Sequence, residues 1–312
     1  MSETSIPVDL FNPGQVFACL GFLEAADVLL GDAEGRFDWT DETAIRFCLR
    51  AGGEENPFAN VLGFVATANL AQCEPMGFGH EESTTSDNEP DDDEGVASSG
   101  TVNILVDTFP NGDADRMSLV VRATTDDQRI ELGHWADGSS RNEFKLYAGN
   151  RSAFSIARAM QLGTREKPKK NQAIGEVKTK GVAALLHECG SELTKTPLDV
   201  LTLMGGSFNM DPRGAWTALD AGYSPNKHKS HGVGASPILE FMAAWGLEHA
   251  RPDEYETRKV RYRVWSEWLS PMLARPVLGG APLSISHRSF QFTLDLSGKN
   301  KVVTFAQEDP HA

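Results

Sequence analysis

Between residues 207 and 236 the sequence places Asp211, Arg213, Trp216, Asp220, Tyr223, Asn226, Lys227, His228, Lys229 and His231 among glycines and prolines. The stretch has neither a 3.6-residue nor a 2-residue apolar period, so it reads as a loop that presents polar and aromatic groups. Two chemistries can be drawn from it. In the first, His228 and His231, with Asp211 and Asp220 upstream and His187-Glu188-Cys189 earlier in the chain, share a divalent cation as in a metal-dependent nuclease. The pattern for that is thin: there is no HExxH, and Glu176-Val177-Lys178 lacks the upstream acid of a PD-ExK nuclease.

The second chemistry is nucleic-acid recognition. Arg213 has the fork for a phosphate or a guanine edge, and the Asn226 amide suits a base edge. Lys227 and Lys229 can neutralise phosphates, while Trp216 and Tyr223 can stack on a base or wedge into a duplex. Structural roles compete at each position: Trp216 and Tyr223 as core aromatics, Asp211 and Asp220 as turn caps, and Arg213 in an ion pair with one of those acids. No GxGxxG follows a strand, and GxxxxGK[ST] and GxSxG are missing. The expectation is therefore a binding protein with no catalytic residues, no cofactor and no metal, and a metal-dependent nuclease or a purely structural adaptor stands as the alternative.

Net charge is −15, which opposes phosphate contact by the chain as a whole, but the charge is unevenly spread. Residues 1–140 hold 6 Lys/Arg and 27 Asp/Glu, whereas residues 141–180 hold 10 basic and 3 acidic residues. One basic surface on an acidic body follows. Arg151, Arg158 and Arg165 recur at intervals of seven along an expected helix, followed by Lys167, Lys169, Lys170, Lys178 and Lys180. Of these, Arg151, Arg158, Lys169, Lys170, Lys178 and Lys180 join Arg213, Trp216, Tyr223, Asn226, Lys227 and Lys229 as candidate nucleic-acid contacts.

The elements that must position these residues show in the punctuation of the chain. Asn12-Pro13-Gly14 and Asn56-Pro57 are helix starts, with Asn as cap and Pro at the first position. The first helix carries Val16, Cys19, Leu20, Leu23, Ala26 and Leu30 on one stripe, to be packed inward. Between the two helices, Ile45, Phe47 and Leu49 alternate with polar partners as in a strand. Residues 75–100 carry eight acidic residues and little to bury, and read as a solvated insertion. Strand-like pieces at 102–107, 117–123, 129–135 and 143–147 suggest an antiparallel meander, the first two joined at Asn111-Gly112. Helical stripes follow at Ala153, Ile156, Ala157 and Met160 and at Val182, Leu185, Leu186, Cys189 and Leu193, with a short strand before residue 206.

Beyond the loop, Pro237 opens a helix with Ile238, Phe241, Met242 and Trp245 on one stripe. Residues 265–278 form a Trp-rich amphipathic segment in which Pro271 starts, kinks or ends a helix. Residues 284–294 and 301–305 close the chain as a hairpin. The resulting expectation is an α+β protein: an antiparallel sheet with packed helices over 1–149, and a basic, helix-rich part over 150–312 that ends in a β-hairpin.

At 312 residues and 40% apolar content the chain can bury a substantial core. Its four cysteines form no CxxC and read as reduced thiols. The start carries no basic and apolar leader, and the best apolar run, from Val16 to Leu30, is broken by Glu24 and Asp27, so a cytoplasmic protein with no membrane partner is expected.

Three blocks carry a resemblance. NPGQVFACLGFLEAADVL, FNMDPRGAWTALDAGYSPN with its downstream ASPILEFMAAWGLEHARP, and YRVWSEWLSPMLARPVL are similar to the small CRISPR-associated subunits of subtype I-U, also called I-G, which are proposed to stand in for the large subunit of the Cascade surveillance complex. The resemblance implies a non-catalytic subunit in antiviral defence. It implies a complex that carries a guide RNA, binds double-stranded target DNA beside a protospacer-adjacent motif and recruits a separate helicase-nuclease. Its other partners would be the backbone and guide-processing subunits of the complex. The family assigns no motif-reading residue to these positions; the candidates above come from residue chemistry alone.

Overall fold

The computed structural model describes residues 1–75, 102–104, 119–122, 129–132, 146, 153–168, 174–214, 233–297 and 300–309. Both expected Asn-Pro starts form. The Asn12 side chain caps helix α1 (Pro13–Leu30) by accepting the Gln15 N–H at 3.2 Å. The Asn56 side chain accepts from Phe58 and Ala59 to start α2 (Pro57–Thr67). These caps satisfy amides that a first turn leaves without partners.

An antiparallel three-stranded sheet in the order β1-β3-β2 frames the N-terminal region, from β1 (Ser2–Pro7), β2 (Glu34–Asp38) and β3 (Arg46–Ala51). Next, β4 (Asn69–Pro75), β5 (Val102–Ile104), β6 (Leu119–Arg122) and β7 (Arg129–Leu132) order as β5-β4-β6-β7. This corrects the expected meander: β4 lies between β5 and β6, with β5 parallel and β6 antiparallel to it, so those two strands are not hairpin partners. Pairing across the intervening β4 leaves no short-turn geometry for them. The acidic insertion 75–100 beyond its first residue, the Asn111-Gly112 turn and the strand expected at 143–147, apart from Leu146, lie outside the described residues.

The second half supplies α3 (Ala153–Leu162), β8 (Gly163–Arg165), β9 (Val177–Lys180), α4 (Val182–Leu193), β10 (Thr202–Leu203), β11 (Gly234–Ala235) and α5 (Pro237–Gly246). A larger antiparallel sheet follows: β12 (Asp253–Glu256), β13 (Lys259–Trp265), β14 (His287–Ser297) and β15 (Asn300–Val303), with β16 (Gln307–Glu308) beside β14. Helix α6 (Pro271–Leu278) starts at Pro271. The closing hairpin pairs Leu294 with Val303 and Ser297 with Asn300. Of the three roles open to Pro271, starting the helix is the one observed, and Trp265, at the head of that segment, ends β13. The protein is thus α+β, with helices packed on antiparallel sheets.

At the centre α1 lies against α5. An added Cβ on Gly21 would stand 1.9 Å from the Met242 carbonyl oxygen, and one on Gly246 2.2 Å from that of Phe17, so two backbones touch where only hydrogen side chains fit. The expected one-sided stripe of α1 is a correction of degree: every residue from Pro13 to Ala26 is buried. Starting at Pro13, α1 reaches 18 residues, long and apolar enough to cross a bilayer by length and composition, yet 78% of it is buried inside the protein. Tyr262 Oη donates to the Leu10 carbonyl at 2.5 Å and Trp265 Nε1 to that of Gly35 at 2.8 Å, tying β13 to the N-terminal region. Among the described residues one hydrophobic core draws on both sides of position 149/150.

Candidate functional site

The described part of the loop, 207–214, is fixed by a buried polar network. Glu240 sits in the first turn of α5 and is fully buried. Its carboxylate accepts three backbone N–H groups of the loop: Phe208 at 2.8 Å on Oε2, and Met210 at 3.0 Å and Asp211 at 2.8 Å on Oε1. Buried amides of an irregular segment need such partners, and here one side chain serves three. Removal from water pushes the Glu240 carboxyl up to about 7, with the Asp211 charge adding to the rise; the Asp211 and Met210 amides and the Ser207 hydroxyl pull the other way.

Asp211 carries the network onward. It accepts from the Ser236 amide at 3.0 Å, the N-cap of α5, and from Asn12 Nδ2 at 3.5 Å, the N-cap of α1. Arg213 holds it through Nε and Nη2, each at 2.9 Å, and continues to Asp199 at 3.2 Å and the Leu198 carbonyl at 2.6 Å. Gln15 of α1 also donates to Asp199, at 3.4 Å. The N-termini of two helices therefore converge on one acidic pair, where the positive end of a helix dipole favours negative charge. The chain leaves this knot beside its return point, since a Cβ on Gly214 would lie 2.7 Å from that of Ala235.

Arg213 takes the structural ion-pair role set against recognition in the sequence. Its side chain is 20% exposed and three of its nitrogens are engaged within the protein. A fork spent on Asp211 is not free for a phosphate or guanine edge. Asp211 is spent likewise, which removes it from the metal set drawn above. Trp216, Tyr223, Asn226, Lys227, Lys229, Arg151, Lys169 and Lys170 lie outside the described residues, as do Asp220, His228 and His231. Among the described residues no group of three or more His, Cys, Asp or Glu is arranged to hold a metal ion.

Of the candidate basic residues that are described, Lys178 and Lys180 lie on a small hairpin and Arg158 on α3. Strands β8 and β9 pair antiparallel, Thr164 opposite Thr179, and the two hydroxyls are 2.7 Å apart. Arg165, Lys167, Lys178 and Lys180 are exposed on or beside this pair. Lys180 meets Glu188 at 2.5 Å, and Arg165 Nη1 donates to the Gly175 carbonyl at 3.2 Å. Arg158, on α3, is partly exposed with its guanidinium 5.9 Å from the Phe154 ring centre. The hairpin abuts the loop: a Cβ on Gly205 would come 2.3 Å from Thr164 Cγ2 and 3.0 Å from Thr179 Oγ1, just after β10. Strand β10 in turn pairs with β11, at the far end of the loop.

Glu240 escaped the sequence reading. Its signal was a lone carboxylate within the apolar run PILEFMAAW, where an acid on a buried face requires a partner. Asn12 was read only as a cap, and its second contact, with Asp211 199 positions away, left no local trace. No protein-family model, curated protein or solved structure matches the chain.

Proposed function

We propose that the chain is a non-catalytic subunit of a type I CRISPR RNA-guided surveillance complex of subtype I-U (I-G), working in the cytoplasm and contributing to target-DNA binding, protospacer-adjacent-motif binding and assembly. Its partners in this reading are the guide RNA complex, double-stranded target DNA and the backbone and guide-processing subunits, with a helicase-nuclease recruited separately. The three sequence blocks carry the class. One structural observation supports the nucleic-acid part: the seat of Gly205 against Thr164 and Thr179, which sets the exposed hairpin cations beside the root of the segment containing Lys227 and Lys229. In this reading the hairpin cations act together with Lys227 and Lys229 on one phosphate-contacting surface.

The test is duplex binding by the assembled complex as a function of salt. Each phosphate contact contributes about 0.9 to the log–log slope. The double variant Lys227→Ala with Lys229→Ala, and separately Lys178→Ala, should each weaken binding and flatten the slope. Unchanged affinity and slope in both would remove nucleic-acid contact from this surface.

A further inference from the structure

Glu240 touches no surface, yet it holds the amides of Phe208, Met210 and Asp211 at once. The cation of the network, Arg213, reaches it only through Asp211. Asp211 is the ionisable group facing Glu240 from the loop, and α1 contributes the neutral side chains Asn12 and Gln15, which bind Asp211 and Asp199. A carboxylate so placed acts as a latch. When its bonds form, residues 208–211 have a single backbone course between β10 and α5. When they break, three amides and a buried carboxyl must find water, and the root of the loop loses its fixed course.

We propose that Glu240 is the positioning residue of the nucleic-acid-contacting surface: it sets the fraction of molecules whose 207–214 root is latched, and so the affinity of that surface, without touching the ligand. The inference rests on the reading of the surface given above. Two consequences separate it from a merely structural role. Binding competence tied to a fraction of molecules lowers apparent affinity by that fraction while leaving the bound contacts, and hence the salt slope, unchanged. Release of the latch also carries Glu240 from a site where burial raises its affinity for a proton to one where it titrates normally, so release depends on pH. With the carboxyl at about 7 in the latched state and 4.5 when released, unlatching becomes easier as pH rises between these values and levels off above them.

The experiment has two arms on the full chain. In the first, hydrogen exchange at the Phe208, Met210 and Asp211 amides is followed from pH 5 to 8 without nucleic acid and corrected for intrinsic rates. The opening constant should rise by up to about tenfold per pH unit below 7 and plateau above it. Glu240→Gln, whose amide nitrogen would face the Phe208 N–H, should exchange faster and lose that profile. Ser207→Ala, a milder change that removes one donor to the carboxyl, should shift opening in the same direction by about threefold. In the second arm, the assembled complex carrying either variant is titrated with duplex, the expected loss being about tenfold for Glu240→Gln with the salt slope unchanged.

Faster exchange at the three amides with unaltered duplex affinity overturns the inference and leaves the proposed surface standing. A pH-independent opening constant in the unmodified chain overturns the latch itself. Failure of the surface is recognised separately, by lysine variants that change neither affinity nor slope.

Discussion

Arg213 grips Asp211 with two parallel hydrogen bonds, Nε to Oδ1 and Nη2 to Oδ2, both 2.9 Å long. The Asp211 side chain is fully buried and the Arg213 side chain 20% exposed, so the pair lies at the inner end of a path leading outward through Asp199. A planar fork matched to a carboxylate gives direction as well as charge, which a lysine ammonium cannot reproduce.

Arg213→Ala leaves Asp211 buried without its counter-charge, and the expected loss is about 3 kcal/mol of folding stability. Urea denaturation of purified protein measures it. Arg213→Lys should recover part of the loss, since one point charge replaces two directed bonds. A variant as stable as the parent would show that the Ser236 and Asn12 donors suffice for Asp211.

The α1–α5 contact makes a second prediction, with its own control. Gly21→Ala puts a methyl 1.9 Å from the Met242 carbonyl oxygen, and the two helices must separate, at a cost of about 3 kcal/mol. Gly63→Ala, in α2, meets nothing within 4 Å and should instead stabilise by about 0.5 kcal/mol through helix propensity. Thermal melts of the two variants should move in opposite directions.

Local signals were legible where one residue type has one common use. Asn12-Pro13 and Asn56-Pro57 marked helix starts because a capping side chain and a ring-fixed φ allow few alternatives. Strand β13 was not among the expected elements although it alternates cleanly, with Val260, Tyr262 and Val264 inward and Lys259, Arg261 and Arg263 outward. The candidate site was legible only in outline. Its polar stretch stood out, but the partners that fix it, Glu240 and Asn12, come from two helix starts, and such long-range pairing has no sequence period. Arg213 shows the same limit: its residue type suits a phosphate and a buried aspartate equally well, and only geometry decides.

The pH dependence of global stability follows from Glu240 with a definite sign. Its folded value, about 7, lies above the 4.5 of an exposed carboxyl, so the folded state holds a proton that the unfolded state has released. This stability is fully present below 4.5 and is lost as pH rises to about 7, at up to about 1.4 kcal/mol per pH unit. Glu308, held below the usual carboxylate range chiefly by its hydrogen bond with Arg288, acts oppositely: its contribution is present above 4.5 and lost in more acid solution. The two windows do not overlap. Denaturant titrations at pH 5, 6 and 7 should show falling stability in the parent and a flatter profile in Glu240→Gln.

Glu24 and Arg275 give the last prediction. Arg275, on α6, donates through Nε and Nη2 at 2.5 and 2.6 Å to Glu24, a nearly buried residue of α1. Half of this pair faces water: the arginine side chain is 34% exposed and the glutamate side chain 4%. Removing the arginine alone therefore strands a charge where water is scarce, whereas removing the acid leaves a cation that can turn outward. Arg275→Met should cost about 3 kcal/mol and Glu24→Met less. If burial of Glu24 is the source of the penalty, the double replacement should be less damaging than Arg275→Met alone, because two apolar side chains of similar reach can pack across the α1–α6 contact. A double-mutant cycle by urea denaturation measures the coupling, and additive losses in the double variant would show that packing of the two side chains, not their charges, holds α6 to α1.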